Sequence, residues 1–145
     1  MRVYIYARRS KAKKGRDGQP VEDEALSLAA QLRACRAECA KRGWEIVREL
    51  VEDDKSARYE NPTKRVLFRE MIVDVEAGLA DVIVVHKLDR FSRNLRLTLQ
   101  SLDRLAQRNV GLVSVVENLD YSTPQGRLSL HMFAALAQFY SENLG

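Results

Sequence analysis

Arginine and serine recur together at three places in this chain. Arg8, Arg9 and Ser10 open a basic run through Lys11, Lys13, Lys14 and Arg16. Lys55, Ser56, Arg58, Lys64 and Arg65 form a second cluster, and the segment KLDRFSRN brings Lys87, Asp89, Arg90 and Arg93 into a third. A guanidinium is planar, permanently charged and able to hold two phosphate oxygens at once, so this density of arginine points to an anionic, phosphate-bearing ligand. A serine hydroxyl is a weak nucleophile. It reacts at phosphorus beside a base, or where charge on the phosphate oxygens is strongly stabilised. Arginine meets the second condition and, being always protonated, is poorly suited to the first. No GxSxG turn surrounds Ser10, and the two histidines, His86 and His131, are expected outside the three loops, so a hydrolase triad is not indicated. Taken singly, each cluster is equally well explained as solvated loop charge. Coincidence at all three is the weaker explanation.

The elements that must position these clusters follow from hydrophobic periodicity. Residues 2–7 (RVYIYA) alternate as a strand that runs straight into the first cluster. Residues 27–42 repeat apolar positions at helical spacing, with Ser27 able to cap the start and Gly43 to end the helix. A strand at 44–51 and a helix at 64–77 closed by Gly78 come next, then the apolar run 81–85, which suits a strand covered on both faces. A helix carrying Leu95, Leu99, Leu102, Leu105 and Ala106, a buried strand at 110–116 and a last helix at 126–144 complete the pattern. The alternation predicts one α/β domain with a largely parallel central sheet flanked by helices. In such sheets ligands bind beyond the carboxyl ends of the strands, where all three clusters fall. Arg90 and Arg93 are expected on one side of a helix's first turn, where the dipole disfavours a cation and favours Asp89. An anionic ligand explains them better than helix stability does.

Composition narrows the possibilities further. The 24 Lys and Arg against 20 Asp and Glu leave a net charge of +4, a weak indication of a phosphate-rich partner. Cys35 and Cys39 share a helix face and read as core; zinc would need more ligands, and one helical turn does not suit a disulfide. No signal peptide or apolar run of membrane-spanning length occurs, so a cytoplasmic chain is expected.

Tyr6-Ala7-Arg8-Arg9-Ser10, Ser27-Leu28-Ala29-Ala30-Gln31, the Asp53…Ser56…Arg65 region and Lys87-Leu88-Asp89-Arg90-Phe91-Ser92-Arg93-Asn94 together resemble the catalytic domain of resolvase/invertase serine recombinases. The resemblance covers essentially all of residues 1–145. It implies that Ser10 attacks a DNA phosphodiester, forming a 5′-phosphoserine link and releasing a 3′ hydroxyl without metal or nucleotide cofactor. Arg8, Arg65, Arg90 and Arg93 would then hold the scissile phosphate. Asp89 would orient an arginine or assist proton transfer, and Gln31, Ser56 and Lys87 would support the substrate. The resemblance leaves the proton acceptor for Ser10 open. Its implied partners are double-stranded DNA and further copies of the chain, a homodimer on each site and a homotetramer at synapsis, with the last helix as an interface and no membrane. The implied setting is a bacterial or phage-borne enzyme.

Several positions depart from small resolvases: the loop from Ser10 to Ser27 is longer, Ala57 follows Ser56, Asp74 replaces a common lysine and Tyr140 a common glutamate. These lean toward large serine integrases and transposon recombinases. In those proteins a DNA-binding region follows the catalytic domain, and the helical pattern still running at Gly145 is expected to lead into one. Two rival readings are a non-catalytic α/β module that binds phosphate or a nucleotide, and a metal-dependent nuclease built on Asp53, Asp54 and Asp89.

Overall fold

In a computed structural model, residues 1–9, 27–53, 65–91 and 95–143 are described. Five strands form one sheet in the order β2-β1-β3-β4-β5. They are β1 (Arg2–Arg9), β2 (Glu45–Asp53), β3 (Val82–Val85), β4 (Gly111–Ser114) and β5 (Leu119–Asp120), joined by α1 (Leu28–Arg42), α2 (Val66–Glu76), α3 (Leu88–Phe91), α4 (Leu95–Gln107) and α5 (Pro124–Asn143). The first four strands are parallel and β5 is antiparallel to β4. β1 lies between β2 and β3, so the chain adds β2 on one side and then reverses to the other, giving a switch point between β1 and β3.

Helices cover both faces. Tyr4, Tyr6, Leu50, Ile83 and Val85 pack against Phe68, Met71, Ile72 and Val75 of α2 and Leu102 and Leu105 of α4. Val3, Ile5, Val82, Val84 and Val113 meet Cys35 and Cys39 of α1 on the opposite face. This two-sided burial explains the continuous apolar reading of β3, and both cysteines are free and buried as expected. The expected caps form as well: the Ser27 hydroxyl accepts from the Ala30 amide at 3.1 Å, and Gly43 ends α1 with φ 71°. Gly78, at φ 87°, follows α2 in the same left-handed conformation.

Two departures from the expected boundaries have a clear cause. β1 runs on to Arg9 because Arg8 pairs in register with Glu52 and Arg9 with Asp53. β4 ends at Ser114, and the two-residue β5, too short to leave a periodic signal, lines its edge. The third basic cluster lies on the helical stretch Leu88–Phe91, and residues 92–94, between it and α4, lie outside the described residues. From β5 the chain passes directly into α5, where a Cβ on Gly126 would lie 2.2 Å from the Asp120 carbonyl oxygen. Along α5, Leu128, Met132, Leu136 and Phe139 are each more than half exposed.

Candidate active site

Gln31, in the first turns of α1, is fully buried and uses its amide as a neighbouring strand would. Its Oε1 accepts from the Arg8 amide at 3.2 Å, and its Nε2 donates to the Arg8 carbonyl at 3.1 Å. That pairing holds the end of β1, two residues before Ser10, where β3 has already stopped. The Arg8 side chain is 2% exposed, so it lies within the fold and not in an exit loop.

A second group of buried contacts joins β1, β2 and α2 to the back of α3. Arg65 Nη2 donates to the Tyr6 hydroxyl at 2.8 Å and to the Phe91 carbonyl at 2.5 Å, with the Arg90 carbonyl at 3.4 Å. The Tyr6 hydroxyl donates to Glu52 Oε1 at 2.7 Å, and Glu52 Oε2 accepts from the Leu67 amide at the start of α2. The Arg65 guanidinium stacks 4.1 Å from the Phe68 ring centroid, and Phe68 meets Tyr6 and Phe91 edge-on. The hydrogen bonds and opposite charges shared within this group offset the cost of burying it. Burial holds the Tyr6 phenol well above its ordinary range; the Arg65 charge opposes this and the Glu52 charge adds to it. Tyr6 therefore stays neutral and keeps its donor.

Arg90 is fully buried, and its Nη1 approaches the Arg8 carbonyl at 3.5 Å. It is the third residue of the described segment Leu88–Phe91, and Arg93, its expected neighbour on that side, lies outside the described residues. Lys87 immediately precedes α3, is half-buried, and its carbonyl accepts from the Arg90 amide at 3.0 Å. His86 is the first residue beyond β3, which corrects the expectation that both histidines lie away from the loops.

The structure thus brings Arg8, Gln31, Arg65 and Arg90 together at the β1–β3 switch point. Ser10, Ser56 and Arg93 lie outside the described residues, and of Asp89 only the backbone is described. Among the described residues no three His, Cys, Asp or Glu side chains converge as a metal-binding group. No helix among them is long and apolar enough to cross a membrane. Sequence reasoning missed the supporting carboxylates Glu52 and Glu117 and the structural use of Tyr6. An acidic residue at a strand end, in register with a basic one, is the only sequence signal Glu52 offered.

The family model described as Resolvase, N terminal domain, matches residues 3–145. A DNA-invertase of Enterobacteria phage P7 is 32% identical over 94 residues, 65% of this chain and 48% of that protein. This chain spans about half the length of the phage invertases it matches. Among solved structures, the N-terminal catalytic domain of TP901-1 integrase superposes with a TM-score of 0.74 at 25% identity, covering 98% of each chain. A resolvase family site-specific recombinase from Streptococcus pneumoniae gives 0.73 at 28%, covering 99% of this chain and 90% of that one. The mostly parallel sheet with flanking helices is the fold these proteins share.

Proposed function

The chain belongs to the resolvase N-terminal domain family, and from that premise we propose that it is the catalytic domain of a site-specific DNA recombinase. Ser10, the residue after β1, attacks the scissile phosphodiester of double-stranded DNA. One phosphorus–oxygen bond to the 3′ oxygen breaks as one to the serine oxygen forms. The proton lost by the serine is balanced by the one gained by the 3′ hydroxyl. The broken bond's energy is kept in the phosphoserine, so strand joining needs no nucleotide.

The observation that carries this reading is that buried Arg90 reaches the backbone of buried Arg8, with Arg65 on the Arg90 carbonyl behind it, at the end of the strand that leads into Ser10. Fixed guanidiniums in a water-poor setting stabilise charge on phosphate oxygens without reorganising during the reaction. Arg93 and Asp89 complete the phosphate side, and Ser56, Lys87 and Gln31 support it. Arg65 contributes its charge from the back of α3 while bracing that helix. The exposed apolar stripe of α5 supports assembly of copies, as a dimer on each DNA site and a tetramer when two sites are joined.

Full-length recombinase incubated in EDTA with a suicide DNA substrate carrying its site tests the proposal. A covalent protein–DNA adduct is expected for the wild type and none for Ser10→Ala. An adduct that persists in Ser10→Ala, or cleavage that requires a divalent ion, would overturn it.

A further inference from the structure

We infer that Glu117, which lies outside all three basic clusters, is a positioning residue. Its carboxylate fixes the start of α3 and, through that helix, the placement of Arg90. The inference rests on the strand-cleavage reading above and adds to it a residue acting through backbone.

Beyond β4 the chain keeps the ladder with β3, since the Val115 amide donates to the Val85 carbonyl at 3.0 Å and the Val116 amide to the His86 carbonyl at 2.9 Å. It then turns sharply. Asn118 adopts φ 55°, a left-handed conformation that asparagine tolerates better than most residues, and its amide reaches back to the Val115 carbonyl. This turn brings Glu117 against the first residue of α3. Both carboxylate oxygens lie 3.0 Å from the Leu88 amide, and the hydroxyl of buried Ser114 donates to Oε1 at 2.5 Å. The first amides of a helix have no intrahelical acceptor, and a side-chain oxygen supplies one there by hydrogen bonding.

The segment Leu88–Phe91 is gripped at its first amide by Glu117 and at its last carbonyl by Arg65, with Phe91 buried in the core. Between these anchors Arg90 is buried and aimed at the end of β1. Removing Glu117 frees one end of the element that carries Arg90 while leaving the sheet and both core clusters in place.

The test uses full-length recombinase and the suicide substrate, reading the maximal rate of adduct formation, the half-saturating DNA concentration and the melting temperature. Glu117→Ala is expected to slow the maximal rate by about tenfold to a hundredfold, the scale of a misplacement near 1 Å, with the DNA concentration term and melting temperature nearly unchanged. Glu117→Gln keeps a carbonyl that accepts from the Leu88 amide and should restore the rate to within about threefold of wild type. If Gln is as slow as Ala, the carboxylate charge itself is required and the positioning role fails; wild-type rate in Glu117→Ala also overturns it. In an Arg90→Lys background, Glu117→Ala should add little, and a full multiplicative loss there would refute action through Arg90. Hydrogen exchange reads the clamp independently of DNA: protection of the Leu88 amide should fall in Glu117→Ala and return in Glu117→Gln. If the wild type forms no adduct, the cleavage reading fails while exchange still decides the clamp. Glu117→Asp, one methylene shorter, should repeat the loss if the Ala variant folds poorly.

Discussion

Two tyrosines on β1 offer a comparison in which the same atom is deleted twice, two residues apart and on the same face of the sheet. The Tyr6 hydroxyl accepts from Arg65 and donates to Glu52, both buried and charged. The Tyr4 hydroxyl donates to Asp74, a partly buried carboxylate that Arg48 also reaches at 3.4 Å, and the exposed Arg48 guanidinium interacts with the hydroxyl as well. Tyr6→Phe removes two hydrogen bonds to charged groups and leaves both groups short of a partner, which should cost about 2–4 kcal/mol. Tyr4→Phe leaves Asp74 and Arg48, both of which reach solvent, free to bond water and should cost about 0.5–1.5 kcal/mol. For a chain of this length the first loss lowers the melting temperature by about 5–15 °C. Urea unfolding at pH 7, with unchanged m-values, measures both. Equal losses, or less than about 1 kcal/mol for Tyr6→Phe, would refute the claim that this hydroxyl holds the buried network together.

The pH dependence gives a second readout of the same group. Tyr6 titrates above its ordinary value of 10.0, so the unfolded chain ionises first. The folded state then binds more protons, and stability falls as the pH rises above about 10. Tyr6→Phe should shallow that fall by up to about 1.4 kcal/mol per pH unit. Tyr4 and Tyr121 are also raised by burial and keep part of the slope.

Gly126→Ala must push a Cβ into backbone 2.2 Å away and should cost about 2–3 kcal/mol, whereas Gly43→Ala meets nothing within 4 Å and should cost about 1 kcal/mol for its positive φ alone. Chemical denaturation of both variants checks this, and equal costs would mean that the start of α5 yields easily. Burial pushes the Cys35 thiol up to about 12 from an ordinary 9.0, so its contribution is whole below pH 9 and is lost as the pH rises from 9 to 12. Cys35→Ala should flatten stability across that window, and identical slopes in variant and wild type would show the thiol to be accessible in the folded state.

Much of the fold could be read because its causes are local. Ser27 and Gly43 bracket α1 by capping chemistry contained within the helix and its flanks, and the unbroken apolar run of β3 reports two covered faces. The site was legible in its cations and not in what holds them. Arg8 looked like the start of a loop because its burial depends on Gln31, 23 residues away, and on pairing with β2. Arg65 lies 59 residues from Tyr6, and Glu117 lies 29 from Leu88, so no periodicity links them.

The strand order also sets a timetable. β1 is the first of the five strands to be synthesised, yet it lies between β2 and β3, and its core of Val3 to Ala7 is covered only when both have arrived. At a typical elongation rate of about 5–20 residues per second, β3 follows β1 by about 4–15 s. During that interval a short, aromatic, β-prone segment waits without one of its two neighbours. The charges that begin at Arg8 then act before any chemistry, as flanking gatekeepers that disfavour pairing of β1 with another nascent chain.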